Sequence, residues 1–173
     1  MSGHSKWSQI RHKKGVSDQK KGQIFSKLSK KLSIVAGESA NPSANYKLQS
    51  VIDEARSFNM PKENIERAIK RVDDKDAAAL NELVIQAMGP SGIAIVVEAI
   101  SDNKNRTINE IRHVLAEHEA KMVPENSLNW MFDQNWTPHA PIEVTPEVQQ
   151  KLEKLFEALD NHNDVENVYT NLK

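Results

Sequence analysis

The apolar residues of this 173-residue chain change their spacing once, near residue 75, and that change dictates the architecture. Upstream, Ile24, Phe25, Leu28, Leu32 and Val35 fall within roughly 100° of a helical wheel, and Gly37 closes the stripe. Tyr46, Leu48, Val51, Ile52, Ala55 and Phe58 make a second stripe after the breaker Asn41-Pro42-Ser43. Behind Asn59-Met60-Pro61, Ile65, Ala68, Ile69 and Val72 recur at i, i+3, i+4, i+7 and predict a third helix. Downstream the Ile- and Val-rich runs 83–88 and 93–100 predict two strands turning at Gly89-Pro90-Ser91-Gly92. A helix is expected from about Thr107, carrying Ile108, Ile111, Val114 and Leu115, then a third strand over 128–132. Thr145-Pro146 caps a helix with Val148, Leu152, Leu155, Phe156 and Leu159, and 165–169 suits a last strand. The fold class is α+β: a basic arm and three-helix bundle over 1–75, then an α+β domain over 80–173. That second domain is of ferredoxin-like size and order ββαβ-αβ, with its helices on one face of the sheet.

Charge is sorted along the same axis. Residues 1–31 hold nine lysines and arginines against the single acid Asp18, a net +8, so the other 142 residues carry −9. A cationic end on an acidic body suits a protein that grips a phosphate backbone with one part and keeps the rest away from it. Lys6, Arg11, His12, Lys13 and Lys14 lie in an arm without apolar periodicity; Lys20, Lys21, Lys27, Lys30 and Lys31 continue its charge onto the first helix. Trp7 is either a packing anchor for the arm or a platform for an unpaired base. The polar loop Ser101-Asp102-Asn103-Lys104-Asn105-Arg106-Thr107, with Thr107 as candidate N-cap, is a connector whose Lys104 and Arg106 suit a second contact with nucleic acid.

Other chemistries lack their residues. There is no cysteine, so disulfides and thiolate catalysis are excluded and a cytoplasmic, reducing setting is expected. The six histidines are scattered without metal-ligand spacing, so no metal or other cofactor is expected. The Gly89-Pro90-Ser91-Gly92 string joins two strands and lacks the Lys-Ser/Thr of a phosphate loop. No nucleophile elbow occurs, which argues against an enzyme and a small-molecule substrate, and no apolar run approaches the roughly 20 residues of a membrane span.

Several longer strings carry a resemblance. Gly3-His4-Ser5-Lys6-Trp7, Ile10-Arg11-His12-Lys13-Lys14, Phe25-Ser26-Lys27-Leu28, Asn59-Met60-Pro61-Lys62-Glu63-Asn64-Ile65-Glu66-Arg67-Ala68-Ile69-Lys70-Arg71 and Asp102-Asn103-Lys104-Asn105-Arg106-Thr107 together resemble the YebC-type proteins. Asp164-Val165-Glu166-Asn167-Val168-Tyr169 is similar to the family's closing segment. Members are longer, and the resemblance implies that a further inserted domain is reduced here to a linker near 133–140. It also implies a non-enzymatic, nucleic-acid-binding regulator of gene expression. Many members are labelled transcriptional regulators that bind DNA, while others, mitochondrial relatives included, act in translation at the ribosome. Carried over with the strings, Lys62, Arg67, Lys70 and Arg71 join the arm as candidate contacts. DNA or ribosomal RNA is the expected partner, with structured RNA at the ribosome favoured mechanistically. The rival expectation is a protein-binding adaptor that acts through the acidic α+β domain.

Overall fold

The computed structural model describes residues 18–74 and 77–173, which group into a helical unit and an α+β unit. In the helical unit, α1 (Asp18–Ala36), α2 (Tyr46–Ser57) and α3 (Lys62–Lys70) bury Leu28, Leu32, Leu48, Val51, Ile52, Ala55 and Ile65 against one another. Their stripes are those the sequence predicts, with two corrections at the margins. Tyr46 begins α2 ahead of the first inward residue and is 87% exposed. Val72 falls in a 3-10 turn (Arg71–Asp73) after α3 has ended, and is exposed rather than buried.

Two polar side chains lock the bundle. Asn45 caps α2 by accepting the Leu48 N–H (3.0 Å), while its amide donates to the carbonyls of Val35 (2.7 Å) and Ser39 (2.9 Å). One side chain thereby fastens the start of α2 to the end of α1. Ser33, buried on α1, donates to the Ala68 carbonyl of α3 at 2.8 Å and marks where the two helices meet.

The α+β unit runs β1 (Asn81–Met88), β2 (Ala94–Ser101), α4 (Lys104–Glu117), β3 (Lys121–Met122), α5 (Pro146–Asp160) and β4 (Val165–Thr170), the expected order. The sheet is four-stranded, in the order β3-β1-β2-β4. The β1–β2 connection turns tightly through Ser91 (φ +58°) and Gly92 (φ +74°), and the Gly89 N–H closes it on the Ile93 carbonyl at 2.8 Å. A Cβ at position 89 would stand 2.9 Å from the terminal methyl of Ile95, which would have to shift to admit it. Strands β2 and β4 pair antiparallel through Val97↔Val168, with an irregularity at Glu98 and Ala99.

Helices α4 and α5 cover one face, where Ile111, Leu115, Leu152, Leu155, Phe156 and Leu159 meet Leu83, Ile85, Ile95 and Val97. The opposite face is covered too, because β2 sends Ala94 and Val96 that way onto Leu128 and Phe132, flanked by Trp136 and Tyr169. This second layer revises the expected strand at 128–132. Leu128 and Phe132 both point inward while Trp130 between them is 75% exposed, so the apolar residues follow a helical turn, not alternation. A single 3-10 turn (Asn129–Met131) forms there, and the short third strand lies at Lys121–Met122 instead. None of the described helices is long and apolar enough to cross a membrane.

Candidate nucleic-acid interface

The arm residues Lys6, Trp7, Arg11, His12, Lys13 and Lys14 lie outside the described residues. Lys20 and Lys21 are exposed at the start of α1; Lys27, Lys30 and Lys31 follow, half-buried, toward its middle. On α3, Lys62, Arg67 and Lys70 are exposed, and Arg71 is half-buried in the 3-10 turn, with a guanidinium N–H directed at the Ala78 carbonyl (3.3 Å). The Ser33–Ala68 hydrogen bond brings these two series together. Lys30 and Lys31 stand within three residues of Ser33, and Arg67, Lys70 and Arg71 within three of Ala68. Two helices thus carry cations up to a common crossing.

Internal carboxylates neutralise only part of this set. Lys31 is held by Glu54 at 2.8 Å, and Lys62 lies 3.5 Å from Glu66 one turn on. Lys20, Arg67 and Lys70 form no ion pair among the described residues and keep their ammonium and guanidinium groups in solvent. Arg67 and Lys70 also sit in the last turn of α3, where the helix dipole favours cations without consuming them.

The polar loop between β2 and α4 is arranged differently from its sequence expectation. Thr107 does not cap α4: the helix starts at Lys104, and the Ser101 hydroxyl accepts the Asn103 N–H at 2.9 Å. Thr107 is fully buried and donates to the Asp164 carboxylate at 2.6 Å, which also takes the Arg106 guanidinium at 3.0 Å. Asp164 is itself 4% exposed, so Arg106 serves as its counterion as well as a surface cation. Lys104 is exposed and forms no ion pair among the described residues. This network joins residues 57 and 58 positions apart, a pairing that no local pattern encodes.

Glu110, His162 and Asp164 converge beside it, the one grouping of metal-ligating side chains among the described residues. These groups already have partners: His162 Nδ1 accepts the backbone N–H of Asp164 at 3.2 Å, which leaves its Nε2 to donate to Glu110 at 3.0 Å. Asp164 Oδ2 is already occupied by Thr107 and Arg106. The cluster fastens α4 to the start of β4.

A second carboxylate hub lies on the other face. Glu98 accepts the Trp136 indole N–H, the Asn167 amide and the Tyr169 hydroxyl, each at 3.0 Å. Burial and the adjoining Glu98 charge push the Tyr169 hydroxyl well above the usual tyrosine range. Gln86, 2% exposed, plays a similar part: its amide donates to Asn129 at 2.6 Å and its carbonyl accepts the Leu128 N–H at 2.9 Å. Sequence inspection passes over both residues, since each occupies one polar slot in an apolar strand with partners far along the chain.

The comparisons with known proteins follow the same two-part division. Residues 5–75 match the TACO1/YebC protein N-terminal domain. Residues 80–135 and 134–172 match the TACO1/YebC second and third domain. A probable transcriptional regulatory protein of Thermoanaerobacter pseudethanolicus is 34% identical over 239 aligned positions, spanning all of this chain and 97% of that protein. One from Geobacter sulfurreducens is 40% identical over 159 positions, which are 91% of this chain and 62% of the relative. Among solved structures, a conserved hypothetical protein of Aquifex aeolicus superposes with a TM-score of 0.88 at 26% identity, covering 98% of this chain and 97% of its own. With both of its parts matched and relatives aligned end to end, the chain belongs to the TACO1/YebC family.

Proposed function

We propose that this chain is a non-enzymatic regulator of gene expression that holds nucleic acid by its phosphate backbone, using the cationic side of the helical unit. The observation that carries the proposal is the meeting of α1 and α3 at Ser33 and Ala68, with Lys20, Arg67 and Lys70 left exposed and free of ion pairs among the described residues. The names of the relatives as probable transcriptional regulatory proteins support the same class of activity. Contacts to phosphate need only exposed cations on a rigid frame, and they fix position without reading sequence.

Structured RNA, including RNA of the ribosome, suits the surface better than a DNA major groove. A recognition helix presents uncharged amides and arginines to base edges, whereas the exposed residues of α3 alternate cations with Glu63 and Glu66. Those two carboxylates would meet the phosphate walls of a groove. A surface that rests along a backbone, as recognition by shape requires, avoids that repulsion.

The test is a salt titration of the full chain against a duplex DNA and a structured RNA of equal length. If about six phosphates are engaged, affinity for duplex DNA falls roughly a thousandfold between 50 and 200 mM salt. The triple variant Lys20→Ala, Arg67→Ala, Lys70→Ala flattens the slope of log affinity against log salt by roughly one unit per cation removed. Salt-independent binding, or an unchanged slope in the variant, overturns the proposal. Tighter binding to the DNA than to the RNA overturns the preference for RNA.

A further inference from the structure

The outer edge of β1 is open over most of its length. β3 pairs with it only at Ala87 and Met88, and the one further bond on that side is from the Val123 N–H to the Gln86 carbonyl at 2.9 Å. The chain then turns away at Pro124, whose carbonyl takes both the N–H (3.3 Å) and the hydroxyl (2.7 Å) of Ser127. The outward direction of the Gln86 carbonyl fixes that of its alternates, so the N–H and C=O groups of Val84 and Glu82 also face away from β2. Among the described residues nothing pairs with them. A groove of about 220 Å³ runs along this edge, walled by Lys104 and Ile108 of α4 on one side and by Met122 and Glu125 on the other. The Val84 side chain is 44% exposed beside it.

We infer that this edge is a docking surface for an extended, lysine- or arginine-bearing segment of another protein, which adds to the sheet as a strand next to β1. An unpaired row of backbone donors and acceptors beside a groove is what strand addition uses: the main chain supplies affinity and alternate side chains enter the groove. Charge selects the occupant. Residues 82–173 contain fifteen aspartates and glutamates against seven lysines and arginines, and Glu82 and Glu125 on the rim outnumber Lys104. Pairing edge to edge with the same unit of a second copy would bring like charge to this edge, and nucleic acid would bring phosphates; both are repelled, while a basic peptide is attracted.

Amide hydrogen exchange of the full chain provides the test, with a short peptide alternating lysine and valine as probe. At ten times its Kd, the peptide slows exchange of the Val84 amide about tenfold. A glutamate–valine peptide does not, nor does the lysine–valine peptide N-methylated along its pairing edge. Glu82→Lys with Glu125→Lys, both at exposed positions, abolishes the protection while leaving the melting temperature unchanged. The inference is overturned if the methylated peptide protects equally, if millimolar peptide gives no protection, or if Val84 exchanges as slowly as Ile85 in the free chain. Protection that rises with protein concentration alone overturns it in favour of self-pairing.

Discussion

Single residues hold this molecule together where its backbone is irregular. Gln86 spends both ends of its amide on the turn that covers the second face of the sheet. Replacing it by leucine strands the buried Leu128 N–H and costs about 1–3 kcal/mol, read as a lower urea midpoint at unchanged m-value. Asn45→Ala removes a cap, one bond to the end of α1 and one to the connecting loop at once, and the expected loss is about 2 kcal/mol in the same measurement. Asp133 makes a pH-dependent contribution: backbone N–H groups of Thr137 and Asn135, each donating at 2.8 Å, hold its carboxyl below the usual value of 3.8. A depressed carboxylate stabilises the fold above its unfolded pKa and stops doing so as pH falls through the folded one. An NMR titration should show the Asp133 midpoint displaced to lower pH, with the Thr137 and Asn135 amides shifting in step. The role of Gln86 was not legible beforehand, because hydrogen-bond partners as distant as Gln86 and Asn129 leave no local signature.

At the level of elements, the sequence was easiest to read where one face of a helix or strand is buried by regular neighbours. The stripes Leu28–Leu32 on α1 and Leu152–Leu155–Leu159 on α5 predict helices because the 3.6-residue period and the burial coincide. Legibility fails between Lys121 and Pro138. There a two-residue strand, a turn with Asn126 at φ +65° and a 3-10 turn follow one another, none long enough to establish a period. The exposed cations were legible as residue types; the placing of Arg67 and Lys70 beside the Ser33–Ala68 crossing was not. Ser33→Ala tests that crossing, removing a buried 2.8 Å bond at a cost of about 1 kcal/mol. Trp136 tests the cover of the sheet, since it packs edge-on to Phe132 with ring centres 5.9 Å apart and donates to Glu98. Trp136→Ala should destabilise the chain by about 3 kcal/mol and raise binding of a hydrophobic dye.

Across the whole molecule, composition concealed what position revealed: a net charge of −1 is the sum of a cationic front and an acidic remainder. The same holds for length. The alignment with the Thermoanaerobacter relative extends over 239 positions although this chain has 173 residues, and the match to the second and third domain breaks at residues 134 and 135. At that break the chain forms a small closed corner, with an antiparallel bridge between Phe132 and Pro138 and the Asp133 N–H on the Thr137 carbonyl at 2.9 Å. Because the two sides of the corner touch, whatever is spliced in begins and finishes at one place. Flexible inserts at residue 135 should therefore preserve the sheet, each doubling of their length lowering stability by only about 0.6 kcal/mol in urea titrations. Such a corner can accept a longer or shorter connection while the surrounding scaffold keeps its geometry.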